Sequence, residues 1–346
     1  MPKLTEKVVT SMQNSKYLVG IYSMFNRNGD WEMEKPILQP YGFDAVVIDE
    51  QDKEGLWNVL DKLDALLIAN NDLSVDEVAK MKKCKIISRQ GIGLDNIPVK
   101  YAEDNSIMVC NVPDCSTPEV AEHAAALMLT VARKIPYYND KIKIERIWNH
   151  TSFELRPLRE MTVFLVGFGK IARLTATHIK PLFGRVIAYD PYADRKAAAE
   201  LGVEIVESLE EGLRQADIVS LHLPLTEDSR HMINRETLAM MKSDAYLINL
   251  ARGPHVDRDA LEEALNNGVI AGAALDVIEY ELDVEKGDFS HPLFSNPKVI
   301  FTPHTGWYST GSNRKARTVA AQEIVDYING DKLIGQSNSP ANPRKF

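Results

Sequence analysis

The chain reads as an α/β protein built from two doubly wound parallel sheets. Three observations carry that reading. Short β-branched and apolar runs alternate with longer stretches of helical periodicity almost throughout, the pattern of βαβ units. The alternation comes in two series, separated by one strongly helical segment. With 346 residues, 45% of them hydrophobic, the chain has the length for two domains of about 150 residues and ample apolar material to bury.

In the first series, residues 17–21, 45–48, 65–68, 85–88 and 107–110 read as strands. Residues 118–133 then read as a helix, capped by Ser116 or Thr117, with Pro118 in the first turn where its missing N–H costs nothing. This helix is expected to link the two lobes. The second series places strands at 162–166, 185–189, 218–221, 246–249, 271–275 and 299–301, a complete six-strand doubly wound sheet. Residues 311–329 read as one more helix, and the chain from Gly330 onward, with Pro340 and Pro343, as loosely ordered. On this reading residues 1–116 with 313–346 form one domain and residues 117–312 the other.

Composition removes several function classes. Against 40 Lys plus Arg stand 49 Asp plus Glu, a formal net charge of −9, and no basic cluster offers the positive field a nucleic acid needs. The longest nearly apolar run, residues 124–132, is interrupted by Thr130 and falls well short of the roughly 20 residues that cross a bilayer. Lys3, Glu6, Lys7, Gln13, Asn14 and Lys16 precede the first apolar run, so no secretory h-region is expected. Cys84, Cys110 and Cys115 make an odd count in a long chain, which speaks against a disulfide framework and for a reducing cytosol. Cys110, Cys115 and His123 lack the spacing and the fourth ligand of a metal site, so no metal is expected. Tyr137, Tyr138 and Trp148, interleaved with Lys141, Lys143 and Arg146, read as an amphipathic connection or subunit contact rather than a platform for bases.

After the strand at 162–166 comes Gly167-Phe168-Gly169-Lys170-Ile171-Ala172, opening a helix through Phe183. The first glycine permits the tight turn, the second lets backbone approach a pyrophosphate, and Ala172 allows close packing of helix on strand. The next strand ends at Asp190, where a carboxylate accepts the ribose hydroxyls of an adenosine and repels a 2′-phosphate. The second lobe is therefore expected to be a Rossmann-type domain that binds NAD.

Three further segments follow late strands, at the edge where open α/β sheets bind ligands: Asn249 to Pro254, Asp276 to Glu281 and Thr302 to Tyr308. Taken singly, Arg252 reads as a surface ion pair, Glu281 as a solvated carboxylate and His304 as a helix cap. Together they supply one fixed cation, one carboxylate and one imidazole around the expected nicotinamide position. That set suits reversible hydride transfer to a 2-oxo acid, with Arg252 for carboxylate and carbonyl, His304 for the proton and Glu281 to hold the imidazolium.

These segments, in this order and over nearly the whole chain, resemble the D-isomer-specific 2-hydroxyacid dehydrogenases. Arg89-Gln90-Gly91-Ile92-Gly93-Leu94-Asp95-Asn96-Ile97 is similar to the family's substrate-carboxylate loop, and Leu221 to Thr226 to its strand beside the adenine. The resemblance implies a flavodoxin-like substrate domain beside the cofactor domain. It implies N–H donors from Ile92 and Gly93 toward the substrate carboxylate, with Arg89 in the same loop. Gly167, Gly169, Lys170, Ile171, Asp190, Pro224, Thr226, Ala251 and Asp276 are the implied cofactor contacts, Asp276 lying near the nicotinamide amide. Arg252, Glu281 and His304 match the catalytic signatures. The run from His304 to Ser309 is similar to the branches holding the D-lactate dehydrogenases and the C-terminal-binding corepressors. Two departures stand out: Leu282 occupies the place of a common proline, and a charged stretch, residues 283–288, enlarges the following loop.

The expected function is NAD-dependent interconversion of a small 2-oxo acid and its D-2-hydroxy acid, pyruvate or hydroxypyruvate first, in a cytosolic homodimer. Trp307, three residues beyond His304, is expected to wall the substrate pocket. Two rivals are an NAD-sensing corepressor-like dimer and a phosphoglycerate dehydrogenase. The latter is disfavoured because the first lobe shows no extra phosphate site and the sequence ends soon after the His304 segment. Glu281 disfavours a formate dehydrogenase, which needs no such proton transfer.

Overall fold

The computed structural model describes residues 15–26, 29–151 and 153–346. Lys3, Glu6, Lys7, Gln13 and Asn14 lie outside the described residues. The chain separates into two units, Met1–Ser116 with Ser309–Phe346 and Thr117–Tyr308. The second boundary falls ahead of residue 312 because Ser309 is the N-cap of the helix Thr310–Asn329, its hydroxyl accepting the Ser312 N–H.

In the first unit, strands β1 (Tyr17–Tyr22), β2 (Phe43–Ile48), β3 (Ala65–Ile68), β4 (Ile86–Arg89) and β5 (Met108–Cys110) lie in the order β2-β1-β3-β4-β5, all parallel. This is the flavodoxin-like order. Alternation along the strands splits the core. Val19, Ile21, Ala65, Leu67 and Ile86 face one side, where Ala316, Ala320, Ala321 and Ile324 of the helix Thr310–Asn329 cover them. Leu18, Tyr22, Leu66, Ile68 and Ile87 face the other, with Leu60 and Val78. A buried ion pair fixes that helix: Arg317 Nε and Nη2 donate to Glu34 Oε1 and Oε2 at 2.6 and 2.7 Å, in side chains only 4% and 0% exposed.

The segment beyond Gly330 is ordered, contrary to the sequence reading. Glu323, 1% exposed, accepts the N–H groups of Ile334 and Gly335 at 3.0 and 2.9 Å. Gln336 pairs antiparallel with Cys110, and Asn338 bonds both the N–H of Val109 and the carbonyl of Ile107. Arg344 donates to the carbonyls of Met81 and Cys84, and Phe346 stacks edge-on against Tyr17 and Phe43. Single side-chain bonds from Glu323, Asn338 and Arg344 hold this segment in place of a helix or strand ladder.

In the second unit, β6 (Thr162–Val166), β7 (Arg185–Tyr189), β8 (Glu204–Ile205), β9 (Ile218–Leu221), β10 (Tyr246–Asn249), β11 (Gly272–Leu275) and β12 (Val299–Phe301) form a parallel sheet of order β12-β11-β10-β9-β6-β7-β8. It has seven strands rather than six. The added one, β8, is a two-residue edge pair beyond β7, too short to show periodicity. The helix Thr117–Ala132 opens this unit rather than linking lobes. Its Ala124, Leu127, Met128 and Val131 cover one face of the sheet with Val163 and Leu165, while Phe164 and Val166 turn to the other face among Val219, Leu247 and Ala273. Both faces are covered, as a parallel sheet requires.

Candidate active site

Because every strand of the second sheet runs the same way, the carboxyl ends of β6, β7, β9, β10, β11 and β12 present their following residues along one edge. β6 and β9 are neighbours, so the strand order reverses between them, the point at which such sheets bind ligands.

The turn after β6 fits a dinucleotide. Gly167 has φ +92°, and a Cβ there would collide with the carbonyl oxygen of His222 at the end of β9, so only glycine is accommodated. At Gly169 a Cβ would meet nothing within 4 Å, leaving open space where a phosphate approaches. Gly169 is also the N-cap of the helix Lys170–Ile179 and has no side chain to cap it. Ala172 is fully buried against the sheet. Asp190, just past β7, accepts the Phe168 N–H on Oδ2 and the Tyr192 N–H on Oδ1, both at 2.8 Å. Each oxygen keeps a further lone pair for a ribose hydroxyl. Arg195 is engaged elsewhere, donating from Nη2 to both oxygens of Glu207.

The loop after β9 is knitted by Ser229, which donates to the Pro224 carbonyl and accepts from Thr226 N. Pro224 and Thr226 are exposed on it. His222 Nε2 lies 2.9 Å from Ser220 Oγ, and burial pulls its imidazole down to about 4. After β10, Asn249 Oδ1 accepts the Ala251 N–H and its Nδ2 donates to the Arg252 carbonyl, which fixes the loop bearing the Arg252 guanidinium. His255, fully buried, places its ring nitrogens 3.0 and 3.2 Å from the carbonyls of Arg252 and Pro224, tying these two loops together.

The loops after β11 and β12 meet. His304 Nδ1 is 2.5 Å from Glu281 Oε1, in side chains 27% and 30% exposed. Both halves of this pair depend on left-handed backbone: His304 has φ +51° and Tyr280, just before Glu281, φ +64°. Non-glycine residues hold such angles only when their surroundings over-determine them. For His304 the determinant is Asp276, 3% exposed. Its carbonyl accepts the His304 N–H at 2.8 Å. Its carboxylate accepts the Thr302 hydroxyl at 2.5 Å and the N–H groups of Thr305 and Gly306 at 2.9 Å each. Since Thr302 donates its proton to Asp276, the His123 Nε2 that lies 3.1 Å from Thr302 Oγ1 carries the donor proton. His255 is absent from the residues singled out by sequence; His123 entered only among the discounted metal ligands, and Thr302 and Gly306 only within the His304 segment. His123 stands in a helix with no local chemical signal, while Thr302 and Gly306 flank His304 and were within reach.

In the first unit, Arg89 at the end of β4 donates from Nη2 to Asn70 Oδ1 at 3.2 Å. The adjoining loop is fixed by Asn111, whose Nδ2 donates to the Ile92 carbonyl, and by the Val112 N–H on the Gly91 carbonyl. Among the described residues, the N–H groups of Ile92 and Gly93 have no acceptor.

The second unit is thus a dinucleotide-binding domain carrying an imidazole–carboxylate pair at the carboxyl edge of its sheet. The model of the D-isomer specific 2-hydroxyacid dehydrogenase NAD binding domain matches residues 125–306. The chain belongs to that family, whose members are NAD-dependent oxidoreductases acting on the CH–OH group of 2-hydroxy acids. It is 36% identical to a D-3-phosphoglycerate dehydrogenase of Methanocaldococcus jannaschii over 85% of this chain and 55% of that protein. It is 36% identical to a hydroxypyruvate reductase of Thermotoga maritima over 82% of this chain and 89% of that one. A D-lactate dehydrogenase from Aquifex aeolicus, solved with NAD and lactic acid, superposes with TM-score 0.84 at 27% identity, covering 94% of this chain and 100% of that one. The chain spans about half the length of the phosphoglycerate dehydrogenases it matches.

Proposed function

We propose that the protein is an NAD-dependent D-2-hydroxyacid dehydrogenase that reduces a small 2-oxo acid, pyruvate to D-lactate or hydroxypyruvate to D-glycerate. The observation that carries this reading is the 2.5 Å contact between His304 and Glu281 on loops that share a sheet edge with the cofactor turn. Bound NADH supplies the hydride to the substrate carbonyl carbon. With Nδ1 committed to Glu281, His304 presents Nε2 to the carbonyl oxygen and delivers its proton there. Arg252 draws on the carbonyl and pairs with the substrate carboxylate. Gly167, Gly169, Lys170 and Ile171 seat the pyrophosphate, Asp190 the ribose, Pro224 and Thr226 the adenosine side, and Ala251 and Asp276 the nicotinamide side. Asp276 already holds three protein donors, so its first task is to shape the His304 loop. Trp307 walls the pocket.

The assay is NADH oxidation with pyruvate, hydroxypyruvate and phenylpyruvate, run beside NAD reduction with 3-phosphoglycerate. Turnover of the small 2-oxo acids is expected, and none with any of the four substrates would overturn the reading. Oxidation of 3-phosphoglycerate is a second reading, favoured by the 36% identity to a phosphoglycerate dehydrogenase; higher kcat/KM for that substrate would establish it.

The protein is further proposed to act as a cytosolic homodimer. Its three cysteines are free and buried. On the second unit Ile135, Ile142, Ile144, Ile147 and Trp148 are exposed, Trp148 by 85%, an apolar group that a second copy would cover. Among the described residues no helix is long and apolar enough to cross a membrane. Light scattering of the purified chain gives the mass that decides between monomer and dimer.

A further inference from the structure

Four consecutive residues leading into the acid–base pair are each clamped by a different group. Ile278 is pressed by Gly253, where any Cβ would fall on the Ile278 carbonyl group, so the loop that bears Arg252 touches this one backbone to backbone. Glu279, 6% exposed, accepts from Arg230 Nη2 at 2.8 Å and lies 3.0 Å from His231 Nε2. Tyr280 has the guanidinium carbon of Arg258 5.0 Å from its ring centroid. Glu281 meets His304.

The clamp on Tyr280 differs from the rest. Tyr280 is 57% exposed, so burial does not hold it, yet its backbone sits at φ +64°, an angle that costs an L-residue energy. The left-handed turn at Tyr280 is what starts the short helix Glu281–Glu285 and aims the first residue of that helix at His304. No proline follows Glu281 to stiffen the turn, since residue 282 is leucine. Arg258 is well placed to replace that stiffness. It is the first residue of the helix Arg258–Asn266, whose N-cap Asp257 accepts the Ala260 N–H, and its side chain is 24% exposed. The other charged groups at this end of the loop are Asp259, paired with His291 at 2.9 Å, and Asp288, which turns back on the Ser290 N–H.

We propose that Arg258, by stacking on Tyr280, is a positioning residue that holds Glu281 against His304. It acts through Tyr280: it fixes the ring, the ring fixes the turn, and the turn presents the carboxylate. A guanidinium over an aromatic face supplies both attraction and a flat packing surface. The inference rests on the dehydrogenase reading for its consequence in turnover, though not for its geometry.

The test compares Arg258→Ala, Arg258→Lys, Tyr280→Ala and Tyr280→Phe in the full chain. The first readout needs no substrate: the strongly deshielded Nδ1 proton of a histidine in a short bond to a carboxylate, followed by NMR and assigned to His304 by its loss in His304→Gln. Arg258→Ala and Tyr280→Ala should weaken or abolish this signal and lower kcat about three- to tenfold, leaving KM for NADH unchanged. Tyr280→Phe keeps the ring and should keep both. Arg258→Lys keeps a charge over the ring and should rescue part of the loss. A role in stability alone would lower Tm in the alanine variants while signal and kcat persist, and that result overturns the proposal. A parent protein that shows the Nδ1 signal but turns over no 2-oxo acid would sink the dehydrogenase reading and leave the positioning claim to the NMR arm.

Discussion

Asp276 Oδ2 accepts the backbone N–H of Gly306 at 2.9 Å, and a methyl group placed on that glycine would lie 2.9 Å from the same oxygen. The carboxylate therefore both organises the loop beyond His304 and sets the size of the residue that completes it. Gly306→Ala should push the Asp276 side chain away, lowering kcat with a modest fall in Tm. Asp276→Ala strands the buried N–H of Gly306 and the half-buried N–H of Thr305 and should cost about 2–4 kcal/mol of stability as well. Thermal melts and steady-state kinetics of the pair separate the effects. Unchanged kcat in both would show that the loop needs no such anchor.

The His304–Glu281 contact predicts two different kinetic lesions. His304→Ala should lower kcat roughly 10²–10⁴-fold, the usual scale for losing a general acid. Glu281→Gln keeps a bonding partner for the imidazole but removes the charge, so kcat for pyruvate reduction should fall, by less than in His304→Ala. A kcat equal to the parent's removes Glu281 from this role.

Asp190 predicts cofactor choice. A 2′-phosphate would meet its carboxylate, and the first cation after it along the chain, Arg195, is held by Glu207. NADH should be preferred over NADPH in kcat/KM, and Asp190→Ala should narrow the gap. Equal values for the two cofactors in the parent protein contradict the assignment.

His222 predicts a pH dependence of folding. Its imidazole titrates near 4 when folded against 6.5 in the free side chain, because burial disfavours the charged form. The unfolded chain therefore takes up the proton first as pH falls. The stability this group contributes is complete above about pH 6.5, drains away on the way down to about 4, and changes no further below that. His222→Gln, which can still bond Ser220, should lose less Tm between pH 7.5 and pH 5 than the parent does. Parallel curves would count against the buried neutral imidazole.

Trp307 predicts substrate ranking. Trp307→Ala should raise kcat/KM for phenylpyruvate relative to pyruvate, since a rigid apolar wall limits the side chain it admits. A fall in Tm with no change in that ratio would make the indole ordinary packing, as its edge-on contact with Tyr308 at 5.3 Å allows.

What the sequence disclosed followed the range of the interactions. The Gly167 turn and Asp190 were legible because strand, turn and helix are local, and their spacing is itself the signal. Glu281 and His304 were legible as a pair because parallel strands deliver their carboxyl ends to one edge, so order along the chain stands in for proximity. Asp276 was assigned to the cofactor, whereas its hydrogen bonds run to residues 302, 305 and 306. Nothing in a linear string marks a carboxylate as the partner of backbone N–H groups in a later loop. The same blindness hid His123, Arg258 and the pairing of Glu279. The strand β8 escaped because two residues carry no period. The segment after Gly330 escaped because its order comes from single acceptors such as Glu323 rather than from a repeating pattern.

The helix Thr310–Asn329 supplies one wall of the first unit's core, yet it is encoded after the whole of the second unit. On a ribosome the continuous segment from Thr117 to Tyr308 can close its own hydrophobic core as it emerges. The first unit, although translated earlier, must wait with Val19, Ile21, Leu67 and Ile86 uncovered until Ala320, Ala321 and Ile324 arrive. Completion of the two cores is therefore expected in the reverse of synthesis order. The interval during which that bare sheet face is exposed is when the nascent protein most needs chaperone cover, and slowing elongation through codons 117–308 should lengthen it.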